Sequence, residues 1–289
     1  MWRYRAIFSW SVIDREIRKQ SEKGKGPFRI GSGRPAKDGT PQLILERTSV
    51  WDFKNRGDWA VHSDDYRGNW APQIPRNLIL RYTPEEGSVV DAFVGGGTTL
   101  IEAYLLKRKS LGIDLNPQAV KLTSHKIRQL ESRIRTPVLS HKFRPKIVQG
   151  DAERVLRRMD RFGFLQGSVD LACLHPPYMN SIRYSHKKAD LSNMNNVEKY
   201  CEKMKSIARL ICSLLRKGGV CAILIGDIRR RAQLLPLGFR VMEAFTSEGF
   251  TIADIIIKTQ HHDKSSEFYS RKLVNHFLLQ HEYLLILKK

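Results

Sequence analysis

The 289-residue chain carries the segment VVDAFVGGGTT at residues 89–99. The β-branched valines indicate the end of a buried strand, the glycines allow a tight turn, and the threonines open a helix. Asp91 follows the valines, and the carboxyl end of a strand is where an open α/β sheet binds its ligands. The glycines match neither the GxGxxG fingerprint of dinucleotide-binding folds nor a Walker loop, since no lysine follows them. The segment therefore predicts a nucleoside-type ligand.

Strand and helix patterns alternate on either side of this segment. Such alternation is typical of a mostly parallel sheet covered by helices on both faces, so we expect a doubly wound α/β fold over residues 49–289. Strands are predicted at Ser88–Asp91, Ser110–Asp114, Lys146–Gln149, Val169–Leu174, Val220–Ile225, Thr251–Lys258 and Glu282–Leu287, and helices at Thr98–Lys107, Pro117–Ile134, Ala152–Met159, Asn196–Leu215 and Leu237–Glu248.

The composition indicates a polyanionic partner. Fifty Lys and Arg against 29 Asp and Glu give a net charge of +21, which favours nucleic acid. Residues 1–48 form a basic N-terminal extension, either an arm that grips phosphates or a partly ordered segment without a specific role. No apolar run is long enough to span a membrane and no secretory signal opens the chain, so we expect a cytoplasmic protein.

Nothing in the sequence predicts a metal site. The four cysteines form no CxxC pair, so buried reduced thiols are expected rather than a zinc site or a disulfide framework. His261 and His262 are adjacent, and neighbouring histidines cannot readily reach one ion.

Acidic residues end three successive predicted strands. Asp114 lies 23 residues after Asp91, close to the spacing of about 20 at which a carboxylate binds ribose hydroxyls. Asp151 can accept from an adenine amino group while the backbone at Ala152 reads the ring. It can equally cap the helix that follows.

Together these features resemble the S-adenosylmethionine-dependent amino-methyltransferases that act on adenine N6 or cytosine N4 of DNA. The family motif Asp-x-Phe-x-Gly-x-Gly-Thr-Thr matches residues 91–99, with Gly96 at the variable place. Trp70–Ile79 resembles the segment that covers the methionine end of the cofactor, and His281–Lys289 resembles the closing strand. The resemblance covers about residues 50–289 and implies a Rossmann-like, seven-stranded sheet with an antiparallel last strand. It implies cofactor contacts from Asp91, Phe93, Gly95, Gly97, Thr98, Thr99, Asp114, Asp151, Ala152, Pro72 and Ile74.

A second motif, His175-Pro176-Pro177-Tyr178, follows a predicted strand. The family's catalytic motif is Asp/Asn/Ser-Pro-Pro-Tyr/Phe, so the resemblance implies that these four residues are catalytic. The first residue and the Pro176 carbonyl would accept the hydrogens of the exocyclic amino group, while Tyr178 would stack on a base that has left the duplex. His175 departs from the family pattern, and either its imidazole or backbone oxygen could be the acceptor. The lack of an acid there favours cytosine slightly over adenine, whereas the opposing interpretation is a structural histidine beside a structural turn.

Target recognition is expected from loops. Only about 75 residues separate Thr99 from His175, which leaves no room for a large recognition domain. Residues 179–195 and 259–272 carry aromatic side chains among cations, a composition that suits base stacking and phosphate contact. The candidate nucleic-acid contacts are Arg183, Tyr184, Lys187, Lys188, Arg229, Arg230, His261, Lys264, Arg271 and Lys272.

The sequence therefore predicts a DNA methyltransferase, and the family implies a cognate restriction endonuclease as its partner. Two alternatives stay open. One is a tRNA guanine-N2 methyltransferase, which uses a similar Pro-Pro-Tyr motif in the same order. The other is a catalytically inactive module that binds nucleic acid; His175 favours it, and the three strand-end acids argue against it.

Overall fold

An eight-stranded sheet organises the computed structural model, which describes residues 45–133, 141–230, 233–261 and 277–289. Two further short strands form a separate two-stranded sheet. The strands are β1 (Val50–Trp51), β2 (Ser88–Asp91), β3 (Lys109–Asp114), β4 (Lys146–Gln149), β5 (Val169–Leu174), β6 (Leu215–Ile225), β7 (Ile228–Arg230), β8 (Gln233–Leu235), β9 (Thr251–Thr259) and β10 (His281–Lys288).

Five of the six α-helices in the described ranges lie where the sequence patterns predict them, and the helix at Gln73–Tyr82 was not predicted. The helices are α1 (Gln73–Tyr82), α2 (Thr98–Leu105), α3 (Pro117–Arg133), α4 (Ala152–Leu156), α5 (Val197–Leu214) and α6 (Leu237–Thr246). The predicted helix at Ala152–Met159 is shorter in the structure, because a 3-10 turn at Met159–Phe162 replaces its end. Strand β6 begins at Leu215, five residues before the predicted Val220, and Gly218 takes a left-handed φ of +74° within it.

The order of the large sheet is β1-β9-β10-β6-β5-β2-β3-β4. Strands β2 to β6 pair with one another in parallel, and β10 is antiparallel to both β6 and β9. The predicted doubly wound α/β fold with an antiparallel last strand is confirmed.

The strand count of seven was too low. Val50–Trp51 adds an eighth strand, which pairs in parallel with Ile257–Lys258 at the outer edge. A two-residue strand is too short to produce an alternating pattern, so its presence depends on the edge that β9 offers.

Helices cover both faces of the sheet. On β5, Ala172 and Leu174 pack into the same buried cluster as α5, whereas Leu171 and Cys173 face the cluster that contains α1. The period of two along the strand therefore separates the two cores. Both faces are apolar, as expected for parallel strands buried on each side.

Within the described ranges, no helix has the length and apolar character that a bilayer crossing requires. The predicted N-terminal extension, residues 1–48, lies almost entirely outside these ranges and stays a prediction.

Candidate active site

A cavity of about 1140 Å³ opens at the carboxyl ends of β2 to β6. Its wall includes Asp91, Asp114 and Asp151, which follow three neighbouring strands, and the motif His175–Tyr178, which follows the fourth. Ligand pockets commonly measure about 300–1,000 Å³, so this cavity can hold more than one organic group. The two sequence motifs thus meet in one space.

Asp91 organises the glycine-rich turn. Its carboxylate is buried and accepts hydrogen bonds from the Phe93 amide, at 2.9 Å, and the Thr99 hydroxyl, at 2.5 Å. Burial raises the pKa of Asp91 to about 7, against the effect of these two bonds. Both oxygens therefore hold the turn, while Phe93 itself lines the cavity.

Five residues predicted to contact the cofactor lie outside the cavity wall, and three of them lie at the end of the glycine-rich turn: Gly97, Thr98 and Thr99. Gly97 has a φ of +84°, and a Cβ there would lie 2.6 Å from Thr123 Cγ2. This left-handed turn directs the chain away from the cavity and into α2, so the two threonines are buried. Their role is to shape the loop.

Asp114 ends β3 and lines the cavity. It accepts from the Gly95 amide at 2.9 Å and from the Asn116 amide at 2.8 Å. Burial raises the pKa of Asp114 to about 6. The carboxylate joins the glycine-rich turn to the end of β3, and Gly95 also lines the cavity.

Asp151 caps α4, the alternative that the sequence left open. Its side chain accepts from the Arg154 amide at 3.1 Å and forms an ion pair with Lys203 at 3.1 Å. Asp151, Ala152 and Lys203 all line the cavity, so the cap role does not remove the carboxylate from it.

Pro72 and Ile74, also predicted to contact the cofactor, do not line the cavity. Both side chains are buried beneath the wall, because Ile74 packs into the core with Trp70. The residues that line the cavity lie just before them, at Tyr66–Ala71. Within that segment Tyr66 stacks on Tyr184, with ring centroids 5.8 Å apart.

Asn69 is a site residue that sequence reasoning missed. Its Oδ1 accepts from the Gly96 amide at 3.2 Å, which identifies Nδ2 as the outward donor. Nδ2 is buried and has no hydrogen-bond partner among the described residues. A buried amide donor without a partner is costly, so an acceptor in the cavity would stabilise it.

A buried carboxylate anchors the chain that leads into this wall. Glu102, on α2, accepts from Trp59 Nε1 at 2.8 Å, contacts His62 Nε2 at 2.7 Å and pairs with Arg76 at 2.8 Å. These contacts tie the segment before α1, and α1 itself, to the helix that follows the glycine-rich turn.

All four residues of the motif His175–Tyr178 line the cavity. The Tyr178 hydroxyl oxygen lies 3.1 Å from His175 Nε2, and the hydroxyl donates to Glu282 Oε1 at 2.6 Å. The imidazole stacks on Trp70, with centroids 5.7 Å apart and planes 24° apart. Tyr200 donates to the Pro177 carbonyl at 2.8 Å.

Burial sets the charge state of these groups. Desolvation lowers the pKa of His175 to about 4, so the imidazole is neutral near pH 7. Desolvation opposes the charge of Glu282, but Lys258, His175 and Tyr178 hold its pKa below the usual value. Lys258 Nζ lies 3.1 Å from Glu282 Oε2. Neither Glu282 nor Lys258 was predicted from the sequence.

The cations predicted to bind nucleic acid in residues 179–195 are exposed and alternate along the chain with residues that line the cavity. Arg183 is exposed and bonds Asn193 at 2.9 Å, and Lys187 bonds the Leu115 carbonyl at 2.8 Å. Lys188 is exposed, whereas Tyr184 lines the cavity.

The other predicted contacts divide into two groups. Arg229 lines the cavity and bonds the Phe277 carbonyl, whereas Arg230 bonds the Asn195 carbonyl at 2.7 Å and joins β7 to the segment 179–195. His261 contacts the Asp52 carboxylate. Lys264, Arg271 and Lys272 lie outside the described residues.

Part of the chain is similar to a known protein family. The DNA methylase family matches residues 11–125 of the chain. The match begins within the segment 1–48, so the resemblance extends further toward the N-terminus than the motifs alone indicated. It ends before the motif His175–Tyr178.

Curated relatives are similar over shorter stretches. Type II methyltransferase M.BglI from Bacillus subtilis is 30% identical over 90 residues, covering 30% of this chain and 25% of that protein. Type II methyltransferase M.MjaI from Methanocaldococcus jannaschii is 27% identical over 125 residues, covering 43% of this chain and 39% of that protein. The chain thus spans well under half the length of these relatives.

Among solved structures, precorrin 8W decarboxylase from Methanobacterium thermoautotrophicum aligns with a TM-score of 0.48 and 17% identity. The alignment covers 79% of this chain and 96% of that one. The family match over residues 11–125 and the Type II methyltransferase relatives thus make this chain similar to the DNA amino-methyltransferases, a family whose cofactor is S-adenosylmethionine.

Proposed function

We propose that this protein transfers a methyl group from S-adenosylmethionine to an exocyclic amino nitrogen of a DNA base, cytosine N4 in preference to adenine N6. The observation that carries the proposal is the shared cavity, in which the strand-end carboxylates and the motif His175–Tyr178 face one space. A binding module without catalysis would have no need to bring the two together.

The residues present fit S-adenosylmethionine. When bound, this cofactor supplies an electrophilic methyl group on a sulfonium ion. Asp114 is placed to accept from ribose hydroxyls, and Asp151 with the backbone at Ala152 to contact the adenine ring. Asn69 Nδ2, a buried donor without a partner among the described residues, suits the carboxylate of the methionine end. Phe93 and Gly95 complete the cofactor wall.

The motif His175–Tyr178 would orient the target base. The exocyclic nitrogen is a poor nucleophile because its lone pair is delocalised into the ring. Acceptors at His175 and at the Pro176 carbonyl would draw its two hydrogens aside and aim the lone pair at the methyl group. The Pro176 carbonyl accepts no hydrogen bond from the described residues, so it is free to do so. Rate enhancement would come from orientation and fixed dipoles.

A duplex base cannot reach this cavity while stacked, so we propose that the target nucleotide flips out and stacks on Tyr178. The net charge of +21 and two exposed cations of the segment 179–195, Arg183 and Lys188, would bind the phosphates. Cytosine is proposed because a neutral imidazole replaces the acid that is commoner in adenine enzymes. The Type II names of the relatives support a cognate restriction endonuclease as partner.

The test is methyl incorporation from labelled S-adenosylmethionine into random-sequence duplex DNA and, separately, into tRNA, read by nucleoside mass spectrometry. N4-methylcytosine would support the proposal in full. N6-methyladenine would support the class and overturn the base, and N2-methylguanine in tRNA would overturn the DNA substrate. Cofactor binding without transfer to either would overturn catalysis.

A further inference from the structure

The His175 ring belongs to a chain of contacts that crosses three strand ends. Tyr178 follows β5, Lys258 lies on β9 and Glu282 lies on β10. Lys258 and Glu282 are direct cross-strand partners. Both oxygens of the buried Glu282 are used, one by Tyr178 at 2.6 Å and the other by Lys258 at 3.1 Å.

The order of donors and acceptors along this chain is fixed by chemistry. An ionised carboxylate only accepts, so the Tyr178 hydroxyl must donate its single hydrogen to Glu282. The Tyr178 oxygen can then only accept from the imidazole nitrogen 3.1 Å away, and His175 Nε2 must therefore carry a hydrogen. A neutral imidazole has one N–H, which leaves Nδ1 with a free lone pair.

The environment of the ring agrees with this assignment. His175 Nδ1 makes no hydrogen bond with the residues that the structure describes, while His175 lines the cavity. Trp70 covers one face of the ring and fixes its plane. Stacking does not distinguish the two nitrogens, so the tautomer depends on the Tyr178 contact.

We propose that Glu282 is a positioning residue that acts through Tyr178 to hold His175 in the Nε2–H tautomer. Nδ1 then accepts a hydrogen bond from the exocyclic amino group, in the place where the family motif has Asp, Asn or Ser. The role in catalysis rests on the proposed function, whereas the tautomer is a property of the protein without substrate. The chain of contacts lets a histidine serve as an obligatory acceptor.

Long-range ¹⁵N–¹H NMR of protein labelled at its histidines reads the tautomer directly. The His175 signals are assigned by their loss in His175→Gln. At pH 7.5 the wild type is expected to show His175 as a single Nε2–H tautomer. Tyr178→Phe removes the acceptor, and Glu282→Gln removes the charge that orients it. Both are expected to give a mixture of the two tautomers with a measurable Nδ1–H fraction, since the hydrogen bond that selects the tautomer is then lost or weakened.

Tyr283→Phe is the matched control. Tyr283 neighbours Glu282 on β10, but its hydroxyl contacts Asp227 and His281, so its loss should leave the His175 tautomer unchanged. An Nδ1–H tautomer in the wild type would overturn the proposal. So would a His175 tautomer that stays Nε2–H in both variants while circular dichroism shows them folded.

A kinetic measurement separates this proposal from the proposed function. In Glu282→Gln we expect kcat for methyl transfer to fall about tenfold, with KM for DNA and affinity for S-adenosylmethionine within threefold, the loss expected for a hydrogen bond made in the transition state. Equal losses in kcat and affinity would overturn the positioning role. If no DNA is methylated at all, the proposed function fails, and the NMR result still decides the tautomer.

Discussion

The two sides of the cavity differ in how far along the chain their polar groups find partners. On the cofactor side, Asp91 bonds groups two and eight residues away, and Asp114 bonds groups two and 19 residues away. On the catalytic side, Tyr178 bonds a carboxylate 104 residues further on. The bonds of Asp91 and Asp114 therefore hold the glycine-rich loop largely from nearby in the chain, although Asn69 and Lys203 reach this side from 27 and 52 residues away, whereas the Tyr178–Glu282 bond forms only once the sheet has assembled.

We therefore expect each side of the cavity to control a different measured quantity. The cofactor loop is completed by its own backbone, so its polar groups should govern affinity for S-adenosylmethionine. The catalytic residues take their geometry from distant strands, so their loss should change turnover and leave cofactor affinity intact. Variants on each side test whether the two really separate.

Asp91→Ala is expected to have the largest effect. It removes the acceptor for the Phe93 amide and for the Thr99 hydroxyl and leaves both donors buried. A buried donor left without an acceptor costs about 1–3 kcal/mol, and the shape of the cofactor loop depends on both bonds, so we expect roughly a thousandfold loss of cofactor affinity by calorimetry. Asp91→Asn is the control, because its amide oxygen can still accept from Phe93 and should lose less. Unchanged affinity in Asp91→Ala would show that the loop does not depend on this carboxylate.

Tyr178→Ala should have the next largest effect, on turnover alone. It removes the proposed stacking surface for the base and the partner of His175 Nε2. Base stacking contributes about 1–3 kcal/mol, so we expect kcat to fall about a hundredfold while cofactor affinity stays within threefold. Steady-state kinetics with DNA and calorimetry with the cofactor make the comparison. A parallel loss of both would mean that Tyr178 supports the whole cavity and that the two sides do not separate.

The same contrast explains what could be predicted from the sequence. The glycine-rich turn and the acids that end the strands are local patterns, so the fold and the positions of Asp91, Asp114 and Asp151 followed from spacing. Glu282 lay within the predicted closing strand, yet its partner depends on the register that sets it beside Lys258. No local pattern reports that register.

On the cofactor side, the burial of Pro72, Ile74, Thr98 and Thr99 likewise depends on packing that no local pattern reports. The segment just before Pro72 lines the cavity, but Pro72 and Ile74 are buried where α1 begins at Gln73. Thr98 and Thr99 are buried and lie outside the cavity wall, after the left-handed turn at Gly97. In both cases the segment lies beside the cavity, and packing sets the direction of its side chains.

Asn69→Ala tests the weaker part of the cofactor side. If Nδ2 donates to the carboxylate of the methionine end, its loss should reduce affinity for S-adenosylmethionine about tenfold, the value of one hydrogen bond to a charged group. The control is in the ligand: decarboxylated S-adenosylmethionine lacks the acceptor and should bind wild type and variant equally. An equal loss with both ligands would instead assign Asn69 to the shape of the Gly96 turn.

The smallest predicted effect is the pH dependence of cofactor binding, and it sharpens the comparison because it belongs to the cofactor side alone. Burial raises the pKa of Asp114 to about 6, so below that pH the carboxyl group is protonated and has lost part of its accepting capacity. The ionised form accepts better from ribose hydroxyls, so affinity should rise with pH, by about fivefold between pH 5 and 7.5.

In Asp114→Asn the rise centred near pH 6 should disappear, leaving only a change near pH 7 where Asp91 titrates. His175, with a pKa lowered to about 4, stays neutral over this range and should add nothing. A pH profile that is flat in the wild type, or one that Asp114→Asn leaves unchanged, would remove Asp114 from the cofactor contacts.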